Sequence, residues 1–159
     1  MNIKNRKIIS ILLLIIILFL NGCTVNDRNI ANDHSIPLKE KVEKALGGNA
    51  GLVFCDLADL VDLIGLDETT IAECVYLTSA DGLSAEEVIA LRCTDEKHTS
   101  AVKESLEVYL NQRLRETQNY LPDIYAVLEN AKVQIKGNTV LLVTGEQANV
   151  WANAILAGE

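Results

Sequence analysis

Histidine, proline and aromatic residues are scarce in this chain, and positive charge is the minority sign. Its 159 residues include two His, two Pro, one Trp, two Phe and four Tyr. Only His34 and His98 are available as imidazole ligands, and no Cys-x-x-Cys occurs, so a zinc site is not expected. Gly-x-Ser-x-Gly, His-Glu-x-x-His and the Gly-x-x-x-x-Gly-Lys loop are all missing. Tyr120, Tyr125 and Trp151 are scattered and make no sugar-binding platform. Lys and Arg number 14 against 22 Asp and Glu, for a formal net charge of −8. Such a chain has no basic patch to meet phosphates, so nucleic acid is not an expected partner. The expectation is a protein with no catalytic residues, no metal and no cofactor.

What is present begins at the N-terminus. Lys4, Arg6 and Lys7 precede an apolar run, Ile8 to Leu20, broken only by Ser10. That run would make about 20 Å of helix, short of the roughly 20 residues a bilayer core requires. It has the length of a signal-peptide core, and its positive flank directs the downstream chain outward. Leu20-Asn21-Gly22-Cys23 resembles the lipobox of bacterial lipoprotein precursors, with Asn21 a departure from the usual small or hydroxyl residue. The resemblance implies residues 1–22 as signal peptide, and a diacylglyceryl group on the Cys23 thiol. Each buried methylene contributes about 0.8 kcal/mol, and two acyl chains make release slow. The expected location is the extracytoplasmic face of the cell membrane, held by that lipid.

Residues 23–36 are polar and rich in Asn and Asp, and are read as a flexible tether. Its reach is about 20 Å by random-coil scaling. Residues 37–159 are one domain's worth of chain. Removing the signal takes three positive charges with it, which moves the net charge from −8 to −11. That charge keeps an exported domain soluble and opposes lying flat on anionic lipid.

Cys55, Cys74 and Cys93 remain, and three thiols cannot all pair. One disulfide with a leftover thiol is open in an exported protein. A hairpin register that sets Leu77 opposite Ile89 would put Cys74 and Cys93 on opposite faces, where they cannot bridge. Three reduced, buried thiols are the favoured reading.

Periodicity supplies the elements. Leu38, Val42, Ala45 and Leu46 form a helical stripe after Pro37, with Ser35 a possible cap, ended by Gly47-Gly48. A second helix is read from Cys55 to Ile64. Asp56, Asp59 and Asp62 lie on its other face as a solvated stripe, since calcium loops need a turn rather than a regular helix. Residues 74–79 and 87–93 read as a hairpin around Asp81-Gly82, with Ser84 to Glu87 supplying turn chemistry or a turn of helix. A long helix, 97–119, presents Val102, Leu106, Tyr109, Leu110 and Leu114. Pro122 interrupts it, and a shorter helix runs to Ala131. Residues 132–136 and 139–144 form a second hairpin around Gly137-Asn138, the latter strand central. A last helix, 146–156, carries Val150, Trp151 and Ile155. The expected fold is α+β: a four-stranded, mostly antiparallel sheet from two hairpins, with helices on one face, in the order α-α-β-β-α-α-β-β-α.

Two residues stand out as candidate binding groups. Arg113 lies at the edge of the long helix's apolar stripe, suited to a buried acid or to a ligand carboxylate. Tyr120 sits at the break before Pro122. His98, among Asp95, Glu96 and Lys97, reads as a surface or capping residue.

From about Leu66 to Leu156 the chain resembles the domain of unknown function 4358 family of small lipoproteins from Firmicutes. The features are the Ala85-Glu86-Glu87-Val88-Ile89-Ala90-Leu91 strand, the Arg113 helix, the Tyr120-Leu121-Pro122 break, and Ala131-Lys132-Val133 with Gly137 in its hairpin. Asn138 stands where an aromatic often follows that glycine. The resemblance implies a Gram-positive surface lipoprotein and no particular activity. The expected role is a non-enzymatic binding or accessory module of the cell envelope, with an envelope protein as partner. The alternative is a small-ligand receptor or enzyme with a pocket near Arg113.

Overall fold

The computed structural model describes residues 36–48, 51–82 and 84–157, which belong to one compact unit. The expected signal peptide, Cys23 and all of the expected tether except Ile36 lie outside the described residues. No described helix is long and apolar enough to cross a membrane.

Helix α1 spans Leu38–Leu46 and buries Leu38, Val42 and Leu46 at four-residue spacing. It stops at Gly47, whose φ of 64° lets its N–H turn back to the carbonyls of Glu43 and Lys44. Strand β1, Leu52–Cys55, follows, and then helix α2, Leu57–Ile64. The second helix therefore starts two residues later than its apolar pattern suggests. Asp56 is its N-cap, and Asp59 Oδ2 accepts from the Asp56 N–H at 3.3 Å. Two members of the Asp56, Asp59, Asp62 stripe thus begin a helix.

Strand β2, Ile71–Ser79, and strand β3, Glu87–Cys93, form the first hairpin. No helical turn opens β3. Ser84 Oγ accepts from the Glu86 N–H at 3.1 Å, a local turn, and Glu87 is already in the strand. A short 3₁₀ turn at Glu96–His98, with Asp95 accepting from the Lys97 N–H, leads into α3, Thr99–Thr117. Helix α4, Pro122–Leu128, has its proline in the first turn, where no N–H is required. Strand β4, Val133–Lys136, and strand β5, Thr139–Thr144, make the second hairpin, and α5, Ala148–Leu156, closes the described chain.

Among the described residues the sheet has five antiparallel strands, not four, in the order β1-β2-β3-β5-β4. The element order is accordingly α-β-α-β-β-α-α-β-β-α. Helices cover both faces rather than one. Leu38, Val42, Leu46, Trp151 and Ile155 of α1 and α5 pack with Val88, Ala90, Leu141 and Val143. Leu60, Val102, Leu106, Leu110 and Leu128 of α2, α3 and α4 pack with Ile89, Leu91, Val140 and Leu142 on the other side. Every residue of β3 and β5 is buried, which only a sheet covered on both faces allows.

The hairpin register also differs from the expected one. Leu77 pairs with Val88, and Cys74 with Leu91, a slip of one residue. Such a slip exchanges the faces. Cys55, Cys74 and Cys93 consequently all face the α2–α3–α4 core, and all three are free thiols.

Candidate functional site

Among the described residues, an ion pair joins two elements on each face of the sheet. Under α1, Glu73 and Arg92 are direct cross-strand partners on β2 and β3, and the Arg92 guanidinium donates to Glu73 Oε1. Glu73 Oε2 also accepts from the Leu38 N–H at 2.7 Å. A carboxylate at the first turn of a helix meets both a free N–H and the positive end of the helix dipole.

On the other face, Glu87 is the more enclosed acid, 2 % exposed. It follows the same inward alternation as Ile89 and Leu91, so it aims at α3. Tyr109 and Arg113, one helical turn apart, are placed to meet it. The Tyr109 hydroxyl donates to Oε1 at 2.8 Å, and Arg113 Nη1 donates to Oε2 at 2.5 Å. Tyr76, on β2, lies close enough to act on the same carboxylate. The Arg113 guanidinium lies 5.8 Å from the Tyr109 ring centre.

Burial pushes the Glu87 carboxyl above its ordinary range, opposed by Arg113 and the hydrogen bonds. Desolvation and the Glu87 charge also raise both phenols, Tyr76 to about 12 and Tyr109 further. Each Glu87 carboxylate oxygen accepts one of these hydrogen bonds, from Tyr109 and from Arg113, and the acid itself is buried.

Burial likewise raises the three thiols, Cys74 to about 11. Cys55 additionally feels Asp59, Asp56 and Glu87, all of which oppose a thiolate.

The candidate residues from the sequence are not brought together. Arg113 holds Glu87 through Nη1, and its side chain is 21 % exposed. Tyr120 is 84 % exposed on the turn after α3. Among the described residues, surface hollows of about 400–580 Å³ lie away from Arg113 and Tyr120. One of about 580 Å³ runs between the end of α4, the second hairpin and the start of α5. It exposes Glu129, Lys132, Gln134, Glu146 and Asn149. No group of three metal-ligating side chains occurs among the described residues.

In the sequence Glu87 reads both as turn chemistry and as the first residue of the 87–93 strand, and the structure places it in that strand. Its signal was an acid at the head of an apolar strand, Glu-Val-Ile-Ala-Leu-Arg-Cys, which also contains Arg92. Two charges inside a run buried on both faces must each find a partner.

A family model described as Domain of unknown function (DUF4358) matches residues 51–145, more than half of the chain. The matched span starts just before β1 and ends as β5 does, so it contains the whole sheet and both ion pairs. No curated protein and no solved structure matches the chain. The chain belongs to the DUF4358 family.

Proposed function

We propose that this family member is an extracytoplasmic lipoprotein of a Gram-positive cell, held by a lipid on Cys23, whose domain is a non-enzymatic binding or accessory module of the envelope. The observation that carries the reading is the N-terminal pattern: a basic flank, an apolar run too short to span, and Leu20-Asn21-Gly22-Cys23. The domain agrees with it in one respect. Among the described residues its most buried acid, Glu87, is held by Tyr109 and Arg113. A receptor or enzyme built around Arg113 would have to use the guanidinium N–H groups that do not meet Glu87, beside a carboxylate it already neutralises.

Metabolic labelling with palmitate tests the anchor. The wild-type chain takes up label, and Cys23→Ser does not. Label retained in Cys23→Ser overturns the anchored reading. In-cell cross-linking tests the module: a specific envelope neighbour is expected, and its absence from every surface position tried counts against a binding role.

A further inference from the structure

We propose that β1 and the start of α1 form the face on which the domain rests against a bilayer, at the level of the lipid headgroups. The proposal rests on the anchored reading above and adds an orientation to it: the partner is the same lipid surface that holds the Cys23 anchor.

The chain itself brings that surface to this face. Ile36 lies 13 positions after Cys23. Fully extended, that stretch spans about 45 Å at most. Ile36 stands just before α1, and Lys39, in the first turn of α1, lies over the Phe54 ring at 4.6 Å. The point of attachment and the exposed ring of β1 are therefore neighbours.

The face is apolar where it is exposed. β1 is an edge strand, Leu-Val-Phe-Cys, without a charge. Successive side chains of a strand point to opposite sides, so Val53 and Phe54, 44 % and 46 % exposed, flank the edge. Ile36 is 38 % exposed. Beside Phe54 a hollow of about 400 Å³ opens over Leu46 and Leu77. An uncharged edge is a template for unwanted pairing, and headgroup contact covers it.

Charge does not bait this face; it excludes the others. Lys39 is paired with Glu43 at 3.8 Å, so neither is a free charge. Residues 36–55 hold three Lys against two Glu, a net charge of +1, whereas residues 56–159 hold seven Lys and Arg against 18 Asp and Glu, a net charge of −11. Anionic lipid repels the second part and not the first. A lysine stem lying on an aromatic ring fits the water–lipid interface, where rings sit at headgroup level and the ammonium reaches water.

Three half-exposed side chains do not hold a free domain on lipid. Beside an anchored domain the bilayer is always within reach, and an effective concentration of about millimolar or more lets a weak contact set the orientation.

Lipidated protein purified from bacterial membranes is reconstituted into phosphatidylcholine vesicles, with or without a dibrominated phosphatidylcholine that quenches tryptophan at close range. Phe54→Trp and Val53→Trp report the proposed face. Ile135→Trp, at a position 41 % exposed on the opposite edge strand, reports a place about 19 Å away across four strand spacings. The wild-type chain supplies the background of Trp151, which is buried, and urea midpoints confirm that each variant is folded. The added emission of both β1 variants is expected to fall about twofold or more on bromination, and that of Ile135→Trp to stay unchanged. Flotation with the vesicles reports the anchor separately. No quenching at 53 and 54 in protein that floats, or equal quenching at 135, overturns the orientation and leaves the anchor standing. Protein that does not float overturns the anchored reading and the orientation with it. Emission at 54 that shifts to the blue with protein density, unquenched by bromine, overturns the proposal in favour of a second copy. A cross-link from position 54 to one envelope protein in cells, without quenching in vesicles, overturns it in favour of a protein partner.

Discussion

The backbone N–H of Leu38 donates to Glu73 Oε2 across 2.7 Å, which ties the first turn of α1 to a strand 35 residues downstream. The same carboxylate holds Arg92, whose side chain is nearly fully buried while that of Glu73 is about one-third exposed. One acid therefore docks a helix and neutralises a cation at once.

Glu73→Ala should destabilise the domain by roughly 2 kcal/mol. The figure is lower than for a fully buried pair because water reaches Glu73. Glu73→Gln keeps the helix bond and should recover part of the loss. Urea unfolding of the two variants checks the order, and equal losses would show that the carboxamide gives no capping benefit.

Arg113→Met should cost about 3–5 kcal/mol at neutral pH, because Glu87 would be left charged in a dry site. The pH dependence has a definite sign. Glu87 is raised above its ordinary value of 4.5 in the fold. Its contribution to stability is fully present below that value and is lost as pH rises through the higher folded value. Wild-type protein should therefore show a fall in unfolding free energy above about pH 4.5 that Glu87→Gln lacks. Identical pH slopes for the two proteins would refute the assignment.

Gly145→Ala should destabilise by about 1–3 kcal/mol. Gly145 has φ of 120°, and a Cβ there would come within 2.7 Å of Glu86 Cγ. Glu86→Ala in the same chain should relieve the steric part but leave the backbone strain. Full restoration by the double substitution would place the whole effect in the side-chain clash.

The thiols should resist alkylation in the folded protein. With Cys74 raised from 9.0 to about 11, its thiolate at pH 8 is about a hundredfold scarcer than that of an ordinary cysteine. Iodoacetamide should modify it correspondingly slowly. Unfolding without reductant should release Cys55, Cys74 and Cys93 as three reactive thiols, and release of only one would reveal a disulfide.

Much of the fold was legible because it is local. The stripes of α1 and α3, the stop at Pro122, and both hairpin turns follow from residue spacing and turn chemistry. β1 was not legible. Four residues are too few to show alternation, and Cys55 continued the apolar spacing of the helix that follows. The register was missed because a strand buried on both faces has no polar side to fix its phase, so Leu77 could be set against Ile89 or Val88 with equal sense. In the site, Arg113 was identifiable from its place at the edge of a stripe, but its partner was not. Glu87 is 26 residues earlier in the chain, and only the packing of α3 over β3 brings them together.

The proposed membrane address rests on the sequence alone. The Cys23 reading rests on a short linear pattern that needs no folded partner to be recognised. The composition, the acidic charge and the α+β class were likewise present in the order of residues, since periodicity and turn residues act over a few positions. The tertiary structure decided which face each strand presents, that both faces are covered, and that β1 is left as an uncharged edge. It also decided that Glu73 and Glu87 each hold an arginine. Those outcomes depend on contacts between elements distant in the chain, and spacing along the sequence carries no information about them.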